Sequence, residues 1–460
     1  MNSPDSNLQR VSAAKRKFRA GALIFFVALL LIVLLLASPG YTYLRAAGLL
    51  LRIENPQQPS RLGAIHTYAI VESPTEIRTP TGLIRARLYT PEGVANAPGM
   101  LVVHGVHHLG IDEPRLVAFA RALSSSGIRV LTPELPALAD YHVDVHSIDV
   151  IGLSARDFAE TLGHKVGILG ISFGGGLSLL AAANPQYQQY IRFVVSVGAH
   201  DDLERVSQFF ITNQILRPDG TTQQMAAHEY GPLVLIYSHV EDFFPPADVD
   251  RASEALRLLL WEKVDESRKV AAKLSPPSRA KMDLLYSHHI EPLYDDIQRV
   301  ILQHHADMAA VSPHERLRSL EVPVLLLHGS ADNVIPPAEL LWLEQDVPSA
   351  DLKAALTSPV INHVSMDGKP TLADNLRLVR FMAKMLELVD EQQPSPPMPR
   401  TSTGELPSEP QRPDGIHAGM GDRRGRDPTV LSPGTPIENS RNRRQNHIAP
   451  IEVRRALVEV

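Results

Sequence analysis

The sequence predicts an α/β fold, with a mostly parallel central sheet flanked by helices and a helical insertion between two late strands. Three observations carry the prediction. From Ala64 to about Asp390, short apolar runs alternate with helical patterns. One run passes abruptly into a Gly-rich helix start at Gly170-Ile171-Ser172-Phe173-Gly174. The stretch 203–320 interrupts the alternation and reads as mostly helical, with Leu233–Tyr237 as its one strand-like run.

In chain order, Ala64–Glu72 and Leu83–Tyr89 alternate as two antiparallel strands around a turn at Pro80-Thr81-Gly82. Met100–Val103 is a continuous apolar run ending at His104-Gly105, as a buried parallel strand would. Helical spacing over Arg115–Ser125 stops at Gly127, and a strand follows over Ile128–Leu131. A helix is expected around His146–Thr161, a strand over Lys165–Gly170, and a helix from the serine turn through Ala183. Phe193–Val197 and Val322–Leu327 are further buried strands, Leu356–Val360 is a last candidate strand, and Leu372–Leu388 is the final helix. The insertion sits where it can cover the strand ends as a cap.

A hydrophobic fraction of 44% and a charged fraction of 21% describe a chain able to bury a sizeable core. A net charge of -6 gives no electrostatic support for nucleic-acid binding. The absence of cysteine excludes disulfides, thiolate metal sites and a cysteine nucleophile.

Both ends differ from the folded segment 64–390. Residues 1–19 are polar and basic, with Arg10, Lys15, Arg16, Lys17 and Arg19. Ala20–Ala37 is uncharged and apolar, and at about 1.5 Å per residue it spans roughly 27 Å, close to a bilayer's hydrocarbon thickness. Cleaved signal peptides have shorter apolar cores of about 7–15 residues, and Ala37-Ser38-Pro39-Gly40 matches a cleavage site poorly. The expectation is an uncleaved transmembrane signal anchor with a cytoplasmic basic N-terminus and an extracytoplasmic remainder. Arg45 and Arg52, just past the anchor, weaken that charge asymmetry. From Glu391 the chain is rich in Pro, Ser, Gly, Asn and Arg with no apolar periodicity, so 391–460 reads as a disordered tail.

The G-x-S-x-G turn makes Ser172 the candidate nucleophile. A strand-to-helix turn this tight needs glycines on either side, and it places the serine at a helix N-terminus, which favours developing negative charge. A hydroxyl needs a base and an acid to act. Asp332 follows the buried strand in His328-Gly329-Ser330-Ala331-Asp332, and His363 follows the next candidate strand. The order Ser, Asp, His is the one that accompanies this turn. Asp201 and Asp202, just after the preceding strand, are the competing acids. His104 and His328 end strands before glycine and read as packing residues, and His142 and His146 as surface groups without a third metal ligand. His288-His289 and His304-His305 carry no readable role.

With those motifs, the chain resembles the α/β-hydrolase superfamily over roughly Ala64–Leu388, especially its dienelactone-hydrolase-like and esterase-like branches. The resemblance implies a serine esterase acting on a small ester-like substrate through an acyl-enzyme, without metal or organic cofactor. It further implies an oxyanion hole from the amides of Phe173 and Val106, with His107 as the next candidate. Two departures stand out. Gly105-Val106-His107-His108-Leu109-Gly110 lacks the glycine run of lipase-type relatives, and Asn362-His363 stands where many members have Gly-His. A thioesterase or peptidase of the same fold, or a catalytically silent scaffold recruiting partners through its tail, are the alternatives.

Overall fold

Gly99–Val103, Val166–Ile171, Ile191–Val197 and Val324–Gly329 are buried along nearly their whole length because helices cover both faces of the sheet they build. The computed structural model describes residues 21, 24–33, 39–56, 60–80, 82–361 and 370–391. Its strands are β1 (Ile70–Thr79), β2 (Gly82–Pro91), β3 (Gly99–Val103), β4 (Arg129–Pro133), β5 (Val166–Ile171), β6 (Ile191–Val197), β7 (Gln214–Leu216), β8 (Thr222–Gln224), β9 (Val324–Gly329) and β10 (Leu352–Ser358). The main sheet runs β1-β2-β4-β3-β5-β6-β9-β10. Its first two pairings, β1–β2 and β2–β4, are antiparallel, and all the others are parallel.

Besides the helical residues 24–33, the helices of eight or more residues among the described residues are α1 (Pro39–Glu54), α2 (Pro114–Ser125), α3 (Val145–Leu162), α4 (Phe173–Ala183), α5 (Leu203–Thr212), α6 (Tyr230–Ser238), α7 (Val249–Leu260), α8 (Val264–Ala271), α9 (Pro276–Tyr286), α10 (Tyr294–Gln303), α11 (Ala338–Asp346) and α12 (Leu372–Asp390). One core lies between the sheet and α3, α4 and α11 and continues into the insertion. The other lies between the opposite face and α1, α2 and α12. Local chemistry sets the helix starts. Asp144 accepts from the Ser147 amide at 2.9 Å ahead of α3, and Thr371 and Asp374 form a reciprocal capping box on α12.

Three expected elements move. The first strand is Ile70–Thr79 and not Ala64–Glu72, because the hairpin register from Ile70↔Pro91 to Thr79↔Gly82 carries pairing up to the turn. The last strand is Leu352–Ser358 and not Leu356–Val360, aligned by parallel pairing with β9. Leu233–Tyr237 is the middle of helix α6. A short apolar run does not distinguish a buried helix from a strand, and here neighbouring helices take up its apolar side chains. The hairpin β7–β8 lies within the insertion.

Of the expected anchor Ala20–Ala37, the described residues are 21 and 24–33, and residues 24–33 are helical and exposed. Among the described residues no helix is long and apolar enough to cross a membrane. Residues 1–19, and the tail beyond Glu391, lie outside the described residues. Helix α1 follows directly and is fastened to the domain. Arg45 pairs with Asp390 at the end of α12. Arg52 is buried and donates to the Gly63 carbonyl at 2.6 Å and to Ser126 Oγ at 2.5 Å. These two arginines, read from sequence as juxtamembrane charges, therefore work inside the fold.

Leu386 on α12 is 0% exposed and Leu376 on the same helix is 59% exposed. Leu386→Ala is expected to lower unfolding free energy by about 2–5 kcal/mol, and Leu376→Ala by no more than about 0.5 kcal/mol. Urea denaturation of the two variants checks this.

Candidate active site

Ser172 lies between β5 and α4, half-buried, with φ 55° and ψ -134°. That left-handed φ on a non-glycine residue costs on the order of 1–3 kcal/mol and persists only where packing enforces it. The enforcing contacts are visible. The Ser172 amide donates to the Val197 carbonyl at 2.7 Å, and the Gly175 amide donates to the Ser172 carbonyl at 2.8 Å. A side chain on Gly174 would place its Cβ 2.4 Å from the His104 carbonyl oxygen, and one on Gly105 would reach within 3.0 Å of Ser172 Cβ. The loop after β3 is thus pressed against the serine turn.

Asp332 is buried in the loop after β9. Its Oδ1 accepts from the Val334 and Ile335 amides, each at 3.0 Å, which fixes the carboxylate plane. The Gly198 amide donates to the Leu327 carbonyl at 2.7 Å. Asp332 Oδ2 lies 3.5 Å from where a Cβ on Gly198 would stand. Val197, which receives the Ser172 amide, adjoins Gly198, so Ser172 and Asp332 stand on either side of the end of β6. His363 lies outside the described residues. Its loop departs from Ser358, whose carbonyl accepts from the Ser330 amide at 3.0 Å, two residues before Asp332.

The competing acids are otherwise engaged. Asp202 caps α5, accepting from the Glu204 and Arg205 amides at 2.8 Å and 3.2 Å. Asp201 is fully buried and accepts from Arg205 Nη2 at 2.8 Å, while Arg205 Nε donates to Glu339 at 2.7 Å. Burial, and then the negative charge of Glu339, push the Asp201 carboxyl up to about 8.

Three histidines near the strand ends each have a ring nitrogen bonded to backbone, and His328 Nε2 also stands 3.5 Å from Asp332 Oδ2. His104 Nε2 accepts from the Leu135 amide at 3.0 Å, so its Nδ1–H is the group facing the Gly105 carbonyl at 2.7 Å. His328 Nε2 donates to the Ile335 carbonyl at 2.9 Å. His200 Nε2 donates to the Val311 carbonyl at 3.0 Å, and its ring packs on Phe173 with centroids 5.2 Å apart. Burial lowers the proton affinity of His104 and of His200, so both stand neutral in the core. His142 precedes α3 while His146 is on it, so the two share no helix face.

The candidate oxyanion residues flank Ser172. Phe173 is the first residue of α4, where the amide has no acceptor within the helix. Val106 follows Gly105, and its carbonyl accepts from Tyr230 Oη at 3.2 Å. His107 is tied into its own loop, accepting from the Leu109 amide at 3.2 Å. Burial, and then neighbouring His108, lower its value to about 4.

An open cavity of ≈ 160 Å³ lies beside this rim. The main domain contributes Tyr141, His142, Val143, Asp144, Phe173 and Val334. The remaining lining comes from the insertion, mostly apolar residues including Leu203, Phe210, Val234, Leu235 and Met308. The model of the alpha/beta hydrolase family matches residues 100–367, more than half of the chain. The chain belongs to the alpha/beta hydrolase family. No curated protein matches it significantly.

Solved structures with a similar fold include a candidate hydrolase from Legionella pneumophila, with 14% identity, 75% of this chain and 95% of that one covered, and TM-score 0.46. Est1E from Butyrivibrio proteoclasticus has 14% identity, 69% and 99% coverage and TM-score 0.37. A hyperthermophilic esterase from Pyrobaculum calidifontis has 14% identity, 75% and 90% coverage and TM-score 0.39. The family assignment rests on the family model alone.

Within this alpha/beta hydrolase domain, sequence reasoning missed Tyr230, the Arg205–Glu339 pair and the cavity wall. No local pattern marks them, since Tyr230 meets Val106 across 124 residues and Arg205 meets Glu339 across 134.

The Asp201 carboxyl has a sign-definite consequence. Its folded value lies above an unfolded value of about 4, so the folded state holds the extra proton, and that stabilisation is lost as pH rises toward about 8. Asp201→Asn, which does not ionise, is expected to flatten the fall in Tm between about pH 4 and pH 8 relative to the unaltered protein. Melting curves at stepped pH check this.

Proposed function

We propose that this alpha/beta hydrolase is a membrane-anchored serine hydrolase that cleaves a carboxylic ester-like bond through an acyl-enzyme. Ser172 is the nucleophile, His363 the base and Asp332 the acid. The observation that carries the reading is the strained serine at the α4 N-terminus with a fixed, buried carboxylate across the end of one strand. Among the described histidines nearest this rim, His104, His200 and His328 have their ring nitrogens committed or buried in the core. His363 is five residues past the end of β10, so an extended chain reaches about 17 Å from Ser358.

In the proposed reaction His363 takes the Ser172 proton as Oγ attacks the carbonyl carbon. The amides of Phe173 and Val106 receive the charge on the carbonyl oxygen, each such donor contributing about 3–4 kcal/mol to lowering the barrier. Asp332 holds the imidazole in the required tautomer and offsets its positive charge. Collapse expels the alcohol, which takes the proton from His363, and water then releases the acid by the same steps. The apolar cavity fits an acyl chain beside Phe173.

Ala20–Ala37 supports the anchoring half of the reading, placing the catalytic domain on the extracytoplasmic side. Membranes washed with alkaline carbonate are expected to retain the full chain and to release one lacking residues 1–37.

A fluorophosphonate probe is expected to label the protein stoichiometrically, with labelling lost in Ser172→Ala. Asp332→Asn is expected to lower kcat on p-nitrophenyl esters by roughly 10⁴-fold. A wild-type protein that neither labels nor hydrolyses any ester of the series would defeat the reading.

A further inference from the structure

We propose that His239, Asp242 and His304 form a zinc-type metal site in the insertion, with Asp307 and Gln303 as its outer partners. One part of the site is the turn after α6, which carries His239 and Asp242. The other is the junction after α10, which carries His304, 62 residues beyond Asp242. One ligand atom from each of the three side chains lies within 4.8 Å of the other two. All three residues are half-buried.

The two nitrogens of His304 have different surroundings. Nε2 faces Asp242 Oδ2 at 2.8 Å, and Nδ1 faces Asp307 Oδ2 at 3.3 Å. A carboxylate on the far nitrogen is the outer partner that orients ligating imidazoles and raises their basicity. The other oxygen of Asp242 is held as well, accepting from Gln303 Nε2 at 3.1 Å, which leaves Oδ2 aimed at His304. The His239 ring lies over that of His304, with centroids 4.1 Å apart and planes at 28°. Bonds of about 2.0–2.2 Å to a tetrahedral ion would draw the ligand atoms to about 3.3 Å from one another. That requires the stacked rings of His239 and His304 to turn apart so that a nitrogen lone pair of each points at the ion.

Two imidazoles and one carboxylate suit zinc better than magnesium or calcium, which prefer oxygen ligands. Water completes the tetrahedron. The entering ion takes the position of the proton shared between His304 Nε2 and Asp242, and that proton passes to solvent. Because His239 also lines the cavity, the ion would clamp the cavity's wall to α10. A second trio among the described residues, Asp201, His314 and Asp346, is already engaged by a guanidinium, Arg205 Nη2 donating to Asp201 at 2.8 Å.

The test uses full-length, tag-free protein in detergent, stripped with chelator and titrated with zinc chloride in a calorimeter. One saturable site per chain is expected, its affinity reduced by more than about 100-fold in His239→Gln and in His304→Gln. Asp307→Asn, at an exposed side chain that leaves the fold intact, is expected to weaken binding by about 10–100-fold. Ser172→Ala is expected to bind zinc as the wild type does, which separates this site from the proposed reaction. No saturable binding by the wild type would overturn the proposal. So would affinities within about threefold of wild type in the folded His variants or, if those do not fold, in Asp307→Asn.

Discussion

The structure depends on one close approach: the backbone after β3 lies directly against the turn between β5 and α4. A Cβ on Gly174 would collide with the His104 carbonyl, and one on Gly105 would crowd Ser172. Because neither position carries a side chain, the two loops close on each other, and Ser172 is held at a backbone conformation it would not choose alone. Everything at the rim follows from this clamp. It sets the serine at the first turn of α4 and lays the segment carrying Val106 beside it. The Val197 carbonyl, at the end of the neighbouring strand, completes the hold from the other side.

Parallel pairing then carries the same edge outward. β5, β6, β9 and β10 lie side by side and end in the same direction, so the loops after them share one rim of the sheet. The insertion between β6 and β9 rises from that rim and gives the cavity most of its apolar wall. Its base is held by charge. Arg205 at the start of α5 bridges Asp201 and Glu339, joining the insertion to the first turn of α11. Removing the cation would leave the buried Glu339 carboxylate without its partner, typically a loss of about 3–5 kcal/mol. This explains why Asp201, which sequence position alone offers as a catalytic acid, serves the architecture.

Much of this was legible in the sequence where the signal is local. The buried parallel strands announce themselves as continuous apolar runs, and the serine turn by glycines whose spacing has a steric cause. The capped helices α2, α3 and α12 match their periodicity almost to the residue. Reading failed where pairing or tertiary packing decides. The bounds of β1 and β10 come from register with a neighbour, and Leu233–Tyr237 is helical because its surroundings are apolar on more than one side. Arg45 and Arg52 show the same limit, since charge near an apolar segment looks juxtamembrane until Asp390, Gly63 and Ser126 are seen to receive it. Tyr230, Glu339 and the His239–Asp242–His304 group are products of long-range contact and leave no local trace.

In the proposed reaction, residues 172, 332 and 363 act on one carbonyl at this rim. A crystal structure of the protein after reaction with a fluorophosphonate tests it most directly. Phosphorus is expected to be bonded to Ser172 Oγ, with the phosphoryl oxygen within about 2.7–3.1 Å of the Val106 and Phe173 amides. The His363 imidazole would lie between Ser172 and Asp332. An adduct on another residue, or a His363 ring turned away from both partners, would contradict it.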